Sequence, residues 1–245
     1  MASITSPRVA RRPRSYVRAA GPDACDFLQR MLSNDVEALE IGGACDALLL
    51  TPKARVIAPI RVLRRGEDDF LLLTEPDLGE RVRSELVRSR FSAKVELEPE
   101  RHESWLVLGN GEVLDERPDG DDAEPGELER WWIETGTPRW GREIDERVLP
   151  AEAGLTETHV SLTKGCYPGQ EPIARQHHRG KLNRRLRALV IDGEDAPPYD
   201  AEIVLDGKVV GRVTSAVPGL ALGYVRVEVP DEARLEIGGR AARLR

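Results

Sequence analysis

From about residue 186 to its end the chain offers nothing but short strands. The apolar stretches 186–191, 203–205, 209–215, 222–227 and 233–237 recur at regular spacing, and Asp206-Gly207 supplies a tight hairpin turn between two of them. Such a run closes most economically as a small β-barrel. The front of the chain is different. Ala24, Phe27, Leu28, Met31 and Leu32 follow the i, i+3, i+4 spacing of an amphipathic helix, with Pro22 and Asp23 at its start. Leu78, Val82 and Leu86 predict a second helix over 77–89. Strands are expected at 16–19, 44–51, 56–63, 70–74 and 93–97, and Asn110-Gly111 marks a hairpin between 105–109 and 112–114. The acidic stretch 115–129, with Pro118, Gly120, Pro125 and Gly126, reads as a mobile surface loop, and Trp131-Trp132-Ile133 as a strand. Mixed strands with two helices in this order predict an α+β fold. No glycine-rich dinucleotide or phosphate-loop fingerprint follows any strand. The expected division is 1–183, possibly two subdomains, and a barrel over 184–245.

Chemistry concentrates in one stretch, Lys164-Gly165-Cys166-Tyr167-Pro168-Gly169-Gln170-Glu171. Two glycines there permit backbone that other residues avoid, or a close approach. Pro172 then suits the first turn of a short helix running through Gln176. Cys166 and Tyr167 are thereby expected near a helix N-terminus, which favours an anion. Between Glu171 and Asp192 there is no acidic residue, while Arg175, Arg179, Lys181, Arg184, Arg185 and Arg187 accompany His177 and His178. In a chain of formal charge −7 this is a local reversal. It reads as a solvated basic face, or as a mouth for an anionic small molecule or an RNA backbone.

The stretch Lys-Gly-Cys-Tyr-x-Gly-Gln-Glu, with Ala174-Arg175 and Arg179-Gly180 behind it, resembles the signature of the YgfZ-type folate-binding proteins. These are relatives of the glycine cleavage T-protein, an aminomethyltransferase, and of mitochondrial iron–sulfur assembly factors that share the motif. The likeness extends to Gly21-Pro22-Asp23-Ala24 with Asn34-Asp35-Val36, to Ile133-Glu134-Thr135-Gly136-Thr137-Pro138, and to Gly211-x-Val213-Thr214-Ser215. It implies a T-protein-like folate-binding region followed by the barrel, with tetrahydrofolate or another reduced folate as cofactor.

Tetrahydrofolate makes two opposite demands: pterin N–H donors suit a carboxylate, and the anionic glutamyl tail needs cations. The resemblance puts Glu134 against the pterin with Trp132 beside it. Two adjacent tryptophans in a strand face opposite ways, so only one of them is expected to serve. Asn34, Asp35, Lys164, Tyr167, Gln170, Glu171 and Arg175 complete the candidate binding set, with Lys164 and Arg175 reserved for the tail. Cys166 is the candidate reactive thiol, because nearby cations and a helix start favour a thiolate. Cys166, His177 and His178 lack zinc spacing, and no metal site is expected. One departure matters. In the aminomethyltransferases the second long strand carries an Asp pair, one of them catalytic, where this chain has Ala58 and Pro59. Neither side chain can take a proton, so aminomethyl transfer is not expected.

The resemblance therefore implies a folate-binding protein that supports iron–sulfur cluster assembly or repair in client enzymes and, indirectly, tRNA modification. Two other readings remain: a folate-dependent one-carbon transferase or demethylase, and an RNA-binding module using 175–187. Three cysteines without a C-x-x-C pair argue against a disulfide framework and fit a reducing compartment. No apolar run is long enough for a membrane span. The basic, acid-free 1–18 superficially suggests a transit peptide, but a strand follows almost at once. A ragged, solvated N-terminus in a cytoplasmic protein is expected.

Overall fold

The structure, a computed structural model, describes residues 6–180 and 182–245, with Arg179 described in its backbone alone. In chain order the first half holds β1 (Arg8–Arg11), β2 (Ser15–Ala20), α1 (Ala24–Met31), β3 (Ala44–Leu50), β4 (Val56–Arg64), β5 (Asp69–Thr74), α2 (Gly79–Ser89), β6 (Glu96–Glu100), β7 (Ser104–Val107) and β8 (Gly111–Leu114). Then come β9 (Asp121–Asp122), α3 (Pro125–Glu134), α4 (Thr156–His159) and α5 (Gln170–Arg179). The last third is β10 (Arg184–Ile191), β11 (Glu202–Leu205), β12 (Lys208–Val217), β13 (Leu220–Arg226), β14 (Leu235–Ile237) and β15 (Arg240–Leu244).

A five-stranded antiparallel sheet, order β3-β4-β5-β2-β6, is covered on both faces. Phe27, Leu28 and Leu32 around α1, with Val82 and Leu86 of α2, pack on Val17, Leu49, Ile60, Val62, Phe70 and Leu72. Leu48, Leu50 and Val56 point the other way and meet Leu155, Val160, Tyr167 and Ile173 from the α4–α5 region. Both faces being buried, the end of β3 reads Ala-Leu-Leu-Leu rather than alternating. Pro59 is tolerated because it stands beyond the residues of β4 that pair with β5, and its carbonyl accepts a 2.8 Å hydrogen bond from the Thr74 hydroxyl.

The tail closes as the expected barrel, order β10-β13-β12-β11-β14-β15. Its last strand, β15, escapes the sequence pattern because Arg-Ala-Ala-Arg-Leu is too polar and too short in apolar length. Gly211 is required where β12 crosses β13, since a Cβ there would stand 2.4 Å from the Tyr224 carbonyl oxygen. Ser215 donates to the buried Glu143 carboxylate, and the Tyr224 hydroxyl donates to the Glu143 carbonyl at 2.8 Å, tying barrel to linker.

Four expectations need correction. Trp131-Trp132-Ile133 is helical, not a strand. Glu124 and Glu127 form a reciprocal capping box, Pro125 begins the helix, and the bulky run is simply its buried side. The 115–129 stretch is accordingly not a loop throughout: it holds β9 and the first turns of α3. Residues 8–11 are no ragged end either, because β1 pairs with β7 and β9 in a four-stranded sheet, order β8-β7-β1-β9. The 93–97 strand begins later, as β6. Residues 1–5, the Arg179 side chain and Lys181 of the basic run lie outside the described residues.

Candidate functional site

The two sheets and α3 enclose a cavity of about 250 Å³ lined by Trp131, Trp132, Pro59, Thr137, Ile144 and a set of charged groups. One wall is an arginine–carboxylate cluster. The Arg14 guanidinium donates to Glu112 at 3.0 and 2.8 Å and to Glu75 at 3.2 Å, while Arg12 stands 3.6 Å from both carboxylates. Arg14 and Glu112 are nearly sealed, with 9% and 8% side-chain exposure. Burial works against the Glu112 carboxylate, but Arg14 outweighs it and holds the carboxyl below its usual range. Burial, reinforced by Arg14, pulls the Arg12 guanidinium down to about 10. That guanidinium lies 4.6 Å from the centroid of the Trp132 ring, and the two indoles meet edge-to-face at 4.6 Å. On the helix both tryptophans line the cavity, Trp132 buried and Trp131 half-buried, so the expectation that only one could serve fails with the strand assignment.

The opposite wall carries Asp46 of β3, ion-paired with Arg61 of β4 at 3.1 Å, and His159 of α4. A second cavity, of about 320 Å³, adjoins through Arg12, Glu75, Leu106 and Trp132 and adds Arg11, Arg139 and Arg142.

The motif residues lie elsewhere. Lys164, expected at an anionic tail, is 8% exposed, and its Nζ donates to the carbonyls of Gln29, Leu32 (2.7 Å) and Asn34 (2.8 Å). Three N–H groups of an ammonium meet three carbonyls at the C-terminal end of α1, where helix carbonyls lack partners. Burial lowers Lys164 to about 8, which still leaves it a cation at neutral pH. Tyr167 is buried against Leu48 and Val56; its hydroxyl has no partner among the described residues, and burial raises it to about 12. Gly169 has φ +86°, and a Cβ there would meet the Thr51 carbonyl oxygen at 2.7 Å, so it seats the start of α5 on the β3–β4 turn. Gln170, expected in the binding set, opens α5, which starts two residues before Pro172 and runs past Gln176 to Arg179. Glu171 and Arg175 form an exposed 2.9 Å pair with each other. Cys166 alone of the motif's reactive side chains is exposed and uncommitted.

Asn34 and Asp35 are likewise engaged in architecture. Asn34 Nδ2 donates to the Asp46 and Thr158 carbonyls at 2.7 and 3.2 Å, and Asp35 accepts from Gln29 Nε2 at 2.9 Å. Glu134 ends α3 half-exposed, 3.8 Å from Arg130, and is not among the residues lining either cavity. Within the basic run Arg175 pairs with Glu171, Arg184 with Glu152 at 3.2 Å and Arg187 with Asp231 at 2.8 Å. The cavity's own charged set, Arg12, Arg14, Asp46, Arg61, Glu75, Glu112 and His159, was missed from sequence. The one available signal was charge set inside strand-forming runs, such as Asp46 before Ala-Leu-Leu-Leu.

Among the described residues no three His, Cys, Asp or Glu side chains are placed to hold a metal ion, and no helix is long and apolar enough to cross a membrane.

A crystal structure of glycine cleavage system aminomethyltransferase T from Bartonella henselae superposes with a TM-score of 0.80, covering 98% of this chain and 85% of that one at 17% identity. The fold is that of the T-protein. Residues 183–245 of this chain match the CAF17 C-terminal β-barrel domain. Homologues of this T-protein-like chain include an aminomethyltransferase of Nostoc sp., 29% identical over 83% of this chain and 46% of that one. They also include the mitochondrial iron–sulfur cluster assembly factor IBA57 of Mus musculus, 27% identical over 87% of this chain and 72% of that one. The chain spans about half the length of the aminomethyltransferases of Nostoc sp., Synechocystis sp. and Rippkaea orientalis that it matches.

Proposed function

We propose that the central cavity binds tetrahydrofolate or another reduced folate, and that the loaded protein supports iron–sulfur cluster assembly or repair in client enzymes, with tRNA modification as an indirect consequence. The observation that carries the folate reading is the cavity itself. It offers indole surface for a flat ring, carboxylates of Glu75 and Asp46 for ring N–H donors, and an adjoining arginine-lined space for an anionic tail. Pterin recognition thereby moves from Glu134 to these groups. The reading of Cys166 as a reactive thiol is kept: an exposed thiol on a rigid loop is suited to meeting a partner protein. The iron–sulfur role follows the homologues named for that assembly.

A folate-dependent one-carbon transferase is the second reading, and a specific observation favours it. Ala58 and Pro59 offer no acid, but Asp46 and His159 restore proton-accepting groups to the same cavity from β3 and α4.

Titration of the protein with tetrahydrofolate, followed by tryptophan fluorescence, tests the cavity. Saturable binding is expected, unchanged in Cys166→Ala and weakened about tenfold or more in Trp131→Ala, given the energy of a ring stacked on an aromatic surface. Absence of binding by the parent protein removes folate from the account.

A further inference from the structure

Most polar groups of the central cavity are already satisfied by one another. Arg14 is bonded to Glu112 and Glu75, and Asp46 to Arg61. His159 and Arg12 are exceptions, Arg12 reaching Glu75 and Glu112 only at 3.6 Å, and of the two His159 is the neutral one. Its Nδ1 lies 2.7 Å from the Thr158 hydroxyl, and among the described residues its Nε2 makes no hydrogen bond.

The ring is held by a built support. The His159 carbonyl accepts from the Ser33 hydroxyl at 2.6 Å, the Thr158 carbonyl accepts from Asn34 Nδ2 at 3.2 Å, and Ser33 in turn receives the Leu48 amide at 2.8 Å. α4, although only four residues long, is thus pinned to the turn after α1 and to β3. Burial lowers the imidazole's proton affinity, and the Asp46 carboxylate only partly offsets this. The ring faces the cavity in the neutral form near pH 7.

We infer that His159 contacts the bound ligand directly, its Nε2 meeting a polar edge of a flat heteroaromatic ring that lies against Trp131. The inference rests on the folate reading of the cavity and deepens it: His159 becomes a specificity residue for the pterin rather than for the glutamyl tail. With Nδ1 on Thr158, the Nε2 of the neutral imidazole offers one hydrogen bond, as donor where Nδ1 accepts from the Thr158 hydroxyl and as acceptor where Nδ1–H donates to it. It can therefore follow the protonation of a ring nitrogen, which the paired Arg14 and Glu112 cannot. The charged groups around it are Asp46 and Arg61 on the sheet, and Arg12, Arg14, Glu75 and Glu112 on the opposite wall.

The test uses 5-formyltetrahydrofolate as a stable reduced folate and a tetrahydropterin lacking the glutamyl tail. His159→Ala is expected to weaken both ligands about equally, roughly tenfold, as loss of one buried hydrogen bond does. His159→Gln, which keeps a donor and an acceptor, is expected to recover most of the loss. In the parent protein the His159 ring resonances are expected to shift on saturation, with the apparent pKa of that ring moving between free and bound states. Affinity of His159→Ala within twofold of the parent, or a ring that does not respond to saturation, overturns the inference while leaving the folate site intact. A loss confined to 5-formyltetrahydrofolate assigns His159 to the tail and overturns it as well. A parent protein that binds neither compound overturns the folate reading and the inference together.

Discussion

The motif loop and the central cavity use polar residues in opposite ways. In the loop, the side chains that make the sequence distinctive are consumed by architecture. Lys164 caps α1, Tyr167 fills the second core, Gly169 fits against the β3–β4 turn, and Cys166 is left outside with Glu171, which is paired with Arg175. In the cavity, residues without any local signature are brought together from the β1–β2 connection, β3, β4, β7, β8, α3 and α4, and most of the charged ones are paired within reach of an open space. In the proposed reading the loop is a mount for one thiol and the cavity is the receptor. A conspicuous motif therefore need not be the ligand site, because invariable packing writes a tighter local pattern than a dispersed pocket does.

The cavity side of this contrast predicts the largest effect. Removing one member of a sealed ion pair leaves the other charge without compensation. Arg14→Met is expected to cost about 3 kcal/mol or more in urea unfolding, and Arg14→Met with Glu112→Leu to recover a good part of it. A double variant as unstable as the sum of its parts would show that the wall is not a coupled unit. On the loop side, Lys164→Met is expected to cost about 2 kcal/mol by stranding three carbonyls, since buried groups without partners cost about 1–3 kcal/mol. Tetrahydrofolate affinity should fall much less than that. An affinity loss as large as the stability loss would mean that loop and cavity are one site after all.

A smaller effect belongs to the junction between the two sheets. His102 has a carboxylate on each ring nitrogen, Glu100 at 2.9 Å and Asp115 at 2.8 Å, an arrangement that only an imidazolium satisfies. Burial opposes the cation, but the hydrogen bonds to Glu100 and Asp115 outweigh it and raise the ring above its usual value. Arg65, followed by His102, holds Glu100 at about 2. Because the folded-state value is the higher one, this stabilisation is complete below about pH 6.5 and fades as pH climbs through the raised value. Stability is expected to fall by about 1 kcal/mol between pH 6 and 9, after discounting for partial exposure, and His102→Gln to flatten that slope. His159 acts with the opposite sign and below pH 6.5, so the two windows separate. A slope unchanged in His102→Gln would assign it to other groups.

What could be read in advance follows the same division. The helices at 24–32 and 77–89, the strands of the five-stranded sheet other than β6, and the barrel other than β15 were legible because local periodicity and burial agree there. Helix α3 was not, since three bulky residues in a row, Trp131-Trp132-Ile133, satisfy a buried strand as well as a helix face, and the deciding signal lay in the Glu124–Glu127 cap seven residues upstream of Trp131. β1 was hidden because its partners lie about a hundred residues away. A helix with Pro172 in its first turn and the exposure of Cys166 came directly from the motif, although α5 is longer at both ends than the expected 172–176. The cavity did not, for a physical reason. Arg12, Glu75, Glu112 and His159 are individually ordinary, and only the pairing of β1 with β7, of β7 with β8 and of β2 with β5, together with the seating of α4 on β3, makes them neighbours.

The smallest expected effect is the most informative about the loop. If Lys164, Tyr167 and Gly169 exist to present Cys166, then Cys166 itself contributes nothing to the fold, being exposed and unpaired. Cys166→Ala should change the unfolding free energy by less than about 0.5 kcal/mol, as surface substitutions do. Against a thiol reagent at pH 7.5, Cys166 should react far faster than Cys25 or Cys45. Both of those are half-buried beside the first core, where burial raises Cys25 and lifts Cys45 to about 11. Thiolate, not thiol, is the reacting form, so access and ionisation act in the same direction here. Loss of stability in Cys166→Ala, or equal reactivity of all three cysteines, would make the loop a structural clamp whose cysteine is incidental. The division of labour between mount and receptor would then have only its receptor half.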